Sequence, residues 1–149
     1  MAKQYNKSSK NNQEAYSQLT ELDGIAPPQS IELEQAVLGA LMLEKDAIID
    51  VQEYLTVETF YTEEHRTIFK AIQDLSFEMK AIDLYTVTER LKAQKELTKV
   101  GGAAYLAELT QRVATAAHVE FHAKIIAQKY VQRELIRSAT EIQRRSYDE

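Results

Sequence analysis

The sequence predicts an all-α fold, a compact multi-helix globule followed by a long C-terminal helix, and three observations carry that prediction. Four glycines and two prolines in 149 residues leave too little turn chemistry for a many-stranded sheet. Strict apolar–polar alternation does not persist over six residues, whereas apolar residues recur at i, i+3 and i+4 through most of the chain. From Ala116 to Arg145 there is neither Gly nor Pro. An uninterrupted run of that length reads as one continuous helix.

Taken in order, residues 1–26 are polar, with Asn, Gln, Ser and Lys around isolated Tyr5, Tyr16, Leu19 and Leu22. That composition buries too little surface to offset ordering and predicts a disordered tail. Pro27-Pro28 ends it, and Ser30 is placed to cap a helix over 31–43 with Glu32 and Glu34 in its first turn. Leu33, Val37, Leu38, Leu41 and Met42 form its buried face. Gly39 interrupts that face at a cost of about 1 kcal/mol relative to Ala, which predicts close approach of another helix there.

Asp46 opens a short helix reaching about Leu55, and Thr56 or Thr62 opens the next. A longer helix at roughly 63–78 carries an inner face of Ile68, Phe69, Ile72, Leu75 and Met79. Asp83 caps a helix with Leu84, Val87 and Leu91 inward. Gly101-Gly102 is a turn requiring positive φ, after which Leu106 and Leu109 mark a further helix. The globule thus spans 27–115 and the long helix 116–149.

On a wheel of about 100° per residue, Phe121, Ile125, Leu135, Ile136, Ala139 and Ile142 share one side of that helix. Val119, Ile126 and Tyr130 lie roughly opposite. A helix apolar on two faces needs two covers. One is the preceding globule; the other is a partner chain or a segment beyond Glu149. The expectation is that Val119, Ile126 and Tyr130 form the subunit interface.

Composition and motifs exclude several functions. Net charge is −5, and residues 27–117 hold 15 acids against nine bases, so no basic stripe offers itself to a phosphate backbone. Absence of Cys fits a reducing compartment, the cytoplasm, and no apolar run approaches the roughly 18 residues a membrane helix needs. His118 and His122 have metal-compatible spacing, but Val119 follows where a zinc-protease helix carries Glu, so they read as helix-surface histidines. His65 reads as structural. Gly101-Gly102 lacks the Lys-Ser or Lys-Thr of a phosphate loop, Glu63-Glu64 reads as a first-turn pair, and no nucleophile motif is present. Tyr105 stays open between a half-buried core tyrosine and a partner contact.

The ordered series Pro27-Pro28-Gln29-Ser30-Ile31-Glu32-Leu33-Glu34-Gln35-Ala36-Val37-Leu38-Gly39, Phe60-Tyr61 with His65, Ile68-Phe69, Ile82-Asp83-Leu84, Val100-Gly101-Gly102-Ala103-Ala104-Tyr105-Leu106, Ala116-Ala117-His118 and Ile125-Ile126 resembles the N-terminal domain of the DnaB-type bacterial replicative DNA helicase. The likeness covers about residues 27–147. It implies that the long helix is the first arm of a helical hairpin, that hairpins pair between subunits, and that the pairs form a collar on a hexameric ring. It further implies docking of the primase C-terminal domain, through Tyr105, Ile136 and Ile142, and contact with the helicase loader. No cofactor is implied for this stretch; ATP and magnesium belong to a motor domain outside it, which performs 5′-to-3′ unwinding. The alternative reading is an independent helical regulator that binds nucleic acid or a small ligand.

Overall fold

Side-chain caps at Thr62 and Asp83 start two of the helices where the sequence places them. The computed structural model describes residues 25–113 and 116–148, so the expectation for the tail at 1–24 lies outside the described residues. Among the described residues there are six α-helices, two short 3-10 turns and no strand. Helix α1 spans Ile31–Leu43 and α2 Ala47–Val51, with a 3-10 turn at Val57–Thr59. Helix α3 spans Glu63–Phe77, α4 Leu84–Ala93 and α5 Gly102–Gln111; a 3-10 turn at Ala116–His118 leads into α6, Val119–Tyr147.

The Thr62 hydroxyl accepts the His65 N–H at 3.2 Å and opens α3. Asp83 accepts the Thr86 N–H at 2.8 Å while the Thr86 hydroxyl accepts the Asp83 N–H at 2.9 Å. That reciprocal pair satisfies two backbone donors at the start of α4. Ser30 and Asp46 occupy the expected N-cap positions of α1 and α2 without a side-chain cap bond.

The unit Ser30–Tyr130 holds the core. Helix α1 packs on α5 and α3, and α4 packs on α3 and α5. Leu38, Leu41, Phe60, Ile68, Phe69, Ile72, Leu91, Leu106 and Leu109 are fully buried. The Phe60 and Phe69 rings meet at 4.8 Å. Gly39 lies under α5: a Cβ there would stand 2.2 Å from the Leu109 carbonyl oxygen and 2.5 Å from Val113 Cγ2. The close approach predicted from that glycine is present. Gly101 and Gly102 both take positive φ, 108° and 80°.

Two expectations are corrected here. Met79 does not continue the inner face of α3; it is 95% exposed, at φ 56°. The Lys80 N–H donates to the Leu75 carbonyl at 2.9 Å and the Met79 N–H to Ser76, so the chain leaves the helix in a left-handed C-terminal turn and rotates Met79 outward. Val119 and Ile126 do not face a second subunit. They are 6% and 2% exposed and belong to the core cluster with Ala123. A wheel separates the two apolar faces of α6; the face expected to meet a second subunit is the one that contributes Val119 and Ile126 to the core.

The second unit comprises the lead-in at 25–29 and α6 from Val131 onward. Within it Arg133 donates to the Pro28 carbonyl at 2.9 Å. Glu141 accepts from Arg144 and Arg145, and those hydrogen bonds hold its carboxyl down to about 2. Among the described residues no helix is long and apolar enough to cross a membrane.

Candidate functional site

Two features stand apart from ordinary core packing. The first is a buried polar chain linking α1, α3 and α5. Glu34 and His65 are both buried, yet each lies at the head of an apolar face: Glu34 precedes Val37, Leu38 and Leu41, and His65 precedes Ile68, Phe69 and Ile72. Identical i, i+3, i+4, i+7 spacing carries each polar group inward. A buried charge is costly unless it is satisfied. Glu34 accepts the Tyr61 backbone N–H on both carboxylate oxygens, at 3.1 and 3.0 Å, and pairs with His65 Nδ1 at 2.9 Å.

His65 Nε2 then meets the Tyr105 hydroxyl at 2.7 Å, and Gln35 Nε2 donates to the same hydroxyl at 3.3 Å. Arg112 donates to Gln35 Oε1 at 3.1 Å and continues the chain to the surface. The His65 and Tyr105 rings are parallel within 3°. Tyr105 is half-buried. Its ring lies over Gly101, where a Cβ would come within 2.9 Å of the tyrosine Cβ, and it edges a shallow groove shared with Ile31, Thr62, Glu64, Lys99 and Glu108.

The second feature is α6. Its first turn is tied to the globule by Glu120, which accepts from the Tyr54 hydroxyl at 3.2 Å and pairs with Lys124 at 2.9 Å. Lys124 lies 5.1 Å from the centre of the Tyr54 ring. The Lys124 ammonium, aided by the Tyr54 hydroxyl, holds the Glu120 carboxyl below its ordinary range, and Glu120 raises the lysine in turn. Along the same helix Phe121, Val131, Leu135, Ile136 and Ile142 are exposed. Apolar residues exposed in series along one helix mark a contact surface more often than a solvated one.

Of the residues singled out from sequence, Val119 and Ile126 are core, and Tyr130 is half-buried. Tyr105 is held by its hydroxyl yet keeps part of its ring at the groove. Ile136 and Ile142 are 40% and 67% exposed on α6. His118 is exposed, and no group of three or more His, Asp or Glu is arranged for a metal among the described residues. Sequence reasoning missed Glu34 and Gln35; it read Glu34 as a first-turn acid although its spacing from Val37, Leu38 and Leu41 already placed it on the buried face.

The architecture is an all-helical domain ending in a long helix that exposes apolar side chains, the class of N-terminal domain found on replicative helicases. The DnaB-like helicase N terminal domain model matches residues 26–128, and the chain belongs to that family. It is 50% identical to the replicative DNA helicase DnaB of Rhodothermus marinus over 84% of this chain and 13% of that protein. It is 46% identical to DnaB of Geobacillus stearothermophilus over 81% of this chain and 27% of that protein. The chain thus spans about a quarter or less of these relatives. Among solved structures, the N-terminal domain of DnaB helicase from Mycobacterium tuberculosis superposes with a TM-score of 0.79 at 38% identity, covering 82% of this chain and 88% of that one. A DnaB-like replicative helicase described with its interactions with primase superposes at 0.71 with 28% identity, covering 80% of this chain and 28% of that one.

Proposed function

We propose that this chain is the scaffold and docking region of a replicative helicase. It pairs subunits and receives the primase C-terminal domain and the helicase loader, while catalysis resides elsewhere in the parent protein. ATP and magnesium act in a motor domain outside residues 1–149, where 5′-to-3′ unwinding of duplex DNA takes place. The observation that carries this reading is the exposed apolar face of α6. Leu135 and Ile142 stand seven residues apart at 65% and 67% exposure, with Phe121 two heptads before Leu135. Such a seam gains free energy only when another helix or domain covers it.

With Val119 and Ile126 inside the globule, subunit pairing falls to Phe121, Val131 and Leu135. Primase contact falls to Tyr105, Ile136 and Ile142. Calorimetric titration of the primase C-terminal domain into the 149-residue chain tests this. Ile142→Asp or Ile136→Asp should weaken binding about tenfold or more with an unchanged melting temperature. Unaltered affinity in both variants would remove the two isoleucines from the docking surface. Sedimentation over a concentration series should show a weak dimer that Leu135→Asp abolishes.

A further inference from the structure

We propose that Glu34 and His65 are positioning residues for Tyr105: they turn its hydroxyl inward, so that a docking partner meets the flank of the phenol ring and not its O–H. The inference rests on the reading of Tyr105 as a primase contact. Its physical basis is the donor–acceptor order along the buried chain. An ionised carboxylate only accepts. Glu34 takes the Tyr61 N–H on both oxygens, and in the arrangement proposed, an ionised Glu34 beside a neutral His65, the hydrogen between them comes from His65 Nδ1. A neutral imidazole then presents Nε2 as an acceptor. At 2.7 Å the group able to donate to it is the Tyr105 hydroxyl.

Gln35 fits the same order from the other side. Its Oε1 accepts from Arg112, which directs its amide N–H₂ at the Tyr105 oxygen. The tyrosine therefore gives its proton inward and receives one from Gln35. The ring itself is held between the hydroxyl tether and Gly101, where a side chain would collide with the tyrosine Cβ and Cγ. A preorganised aromatic edge binds without the ordering cost that a free side chain incurs.

Two measurements test this on the 149-residue chain. Long-range ¹H–¹⁵N correlation of the histidine rings, with His65→Gln to assign the signal, should find His65 protonated at Nδ1 and bare at Nε2. That pattern should persist when the primase C-terminal domain is added. A proton on Nε2, or a change of tautomer on binding, would overturn the inward hydroxyl. In affinity titrations with the same primase domain, Tyr105→Phe and His65→Gln should each weaken binding about three- to tenfold. The double variant should be no weaker than the worse single one, because both remove one tether. Additive losses would overturn the positioning role while leaving Tyr105 as a contact. A Tyr105→Ala variant of full affinity would overturn the docking reading and this proposal with it, and the tautomer result would separate the two cases.

Discussion

The two halves of α6 are built from the same kinds of residue and have opposite fates. Ile126 in the first half is 2% exposed in the core, and Ile142, sixteen residues on, is 67% exposed. Helical propensity does not distinguish them, since no Gly or Pro interrupts Val119–Tyr147. What differs is the neighbourhood on each face. In the first half Val119, Ala123 and Ile126 follow one another at i, i+4 and i+7, and the small Ala123 lets the helix settle close to the core. Continued beyond Tyr130, that same stripe carries Arg133, tied to the Pro28 carbonyl, and the apolar residues move to other sides. One helix thus contributes Val119, Ala123 and Ile126 to the core in its first half and leaves Leu135, Ile136 and Ile142 exposed in its second. Length alone would have suggested neither.

Four experiments break or sharpen that contrast, in falling order of effect. Ile126→Ala should cost about 3–4 kcal/mol in urea unfolding, as buried isoleucine truncations do, whereas Ile142→Ala should stay within about 0.5 kcal/mol. Equal losses would erase the distinction between the halves. Gly39→Ala should destabilise by about 3 kcal/mol, because the added methyl meets the Leu109 backbone and not a movable side chain. A melting temperature equal to the parent's would mean that α1 and α5 can part freely. Met79→Gly should stabilise by about 0.5–1 kcal/mol by relieving a left-handed residue that buries nothing; loss of stability would show that the Met79 side chain has a partner.

The smallest effect concerns Glu78 at the end of α3, whose carboxyl the Arg90 guanidinium, and secondarily Lys80, holds down from 4.5 to about 2. A depressed carboxyl favours the folded state above its unfolded value and loses that contribution as pH falls. The loss should therefore lie between about 4.5 and about 2. NMR titration should place the Glu78 midpoint near the lower end, and Arg90→Met should raise it toward the ordinary carboxylate range, with Lys80 still holding it somewhat below. Since the pair is solvent-exposed, the change in stability should be slight.

Much of the globule was legible because its signals are local. The limits of α1, the caps at Thr62 and Asp83, the double-glycine turn and the close approach at Gly39 each depend on residues a few positions apart. Met79 was misread because a 3.6-residue period does not announce where its helix stops. The left-handed exit normally marked by Gly is made here by Met. The orientation of α6 was illegible for a different reason. A wheel reports that two faces are apolar and is silent on which one a distant globule will cover. Glu34, His65 and Tyr105 come from three helices, and only assembly brings them together, although the two buried ones sat at core spacing throughout.

Gly39 carries a consequence that reaches the protein's rim. On α1 it stands one turn after Gln35, and on α5 its contact Leu109 stands one turn after Tyr105. The two helices meet in matched register, glycine under carbonyl at one level and amide against phenol at the next. Residue 39 therefore works as a spacer whose thickness sets how near the glutamine can come to the tyrosine. A larger side chain there would wedge the two helices apart at the level below the glutamine–tyrosine contact.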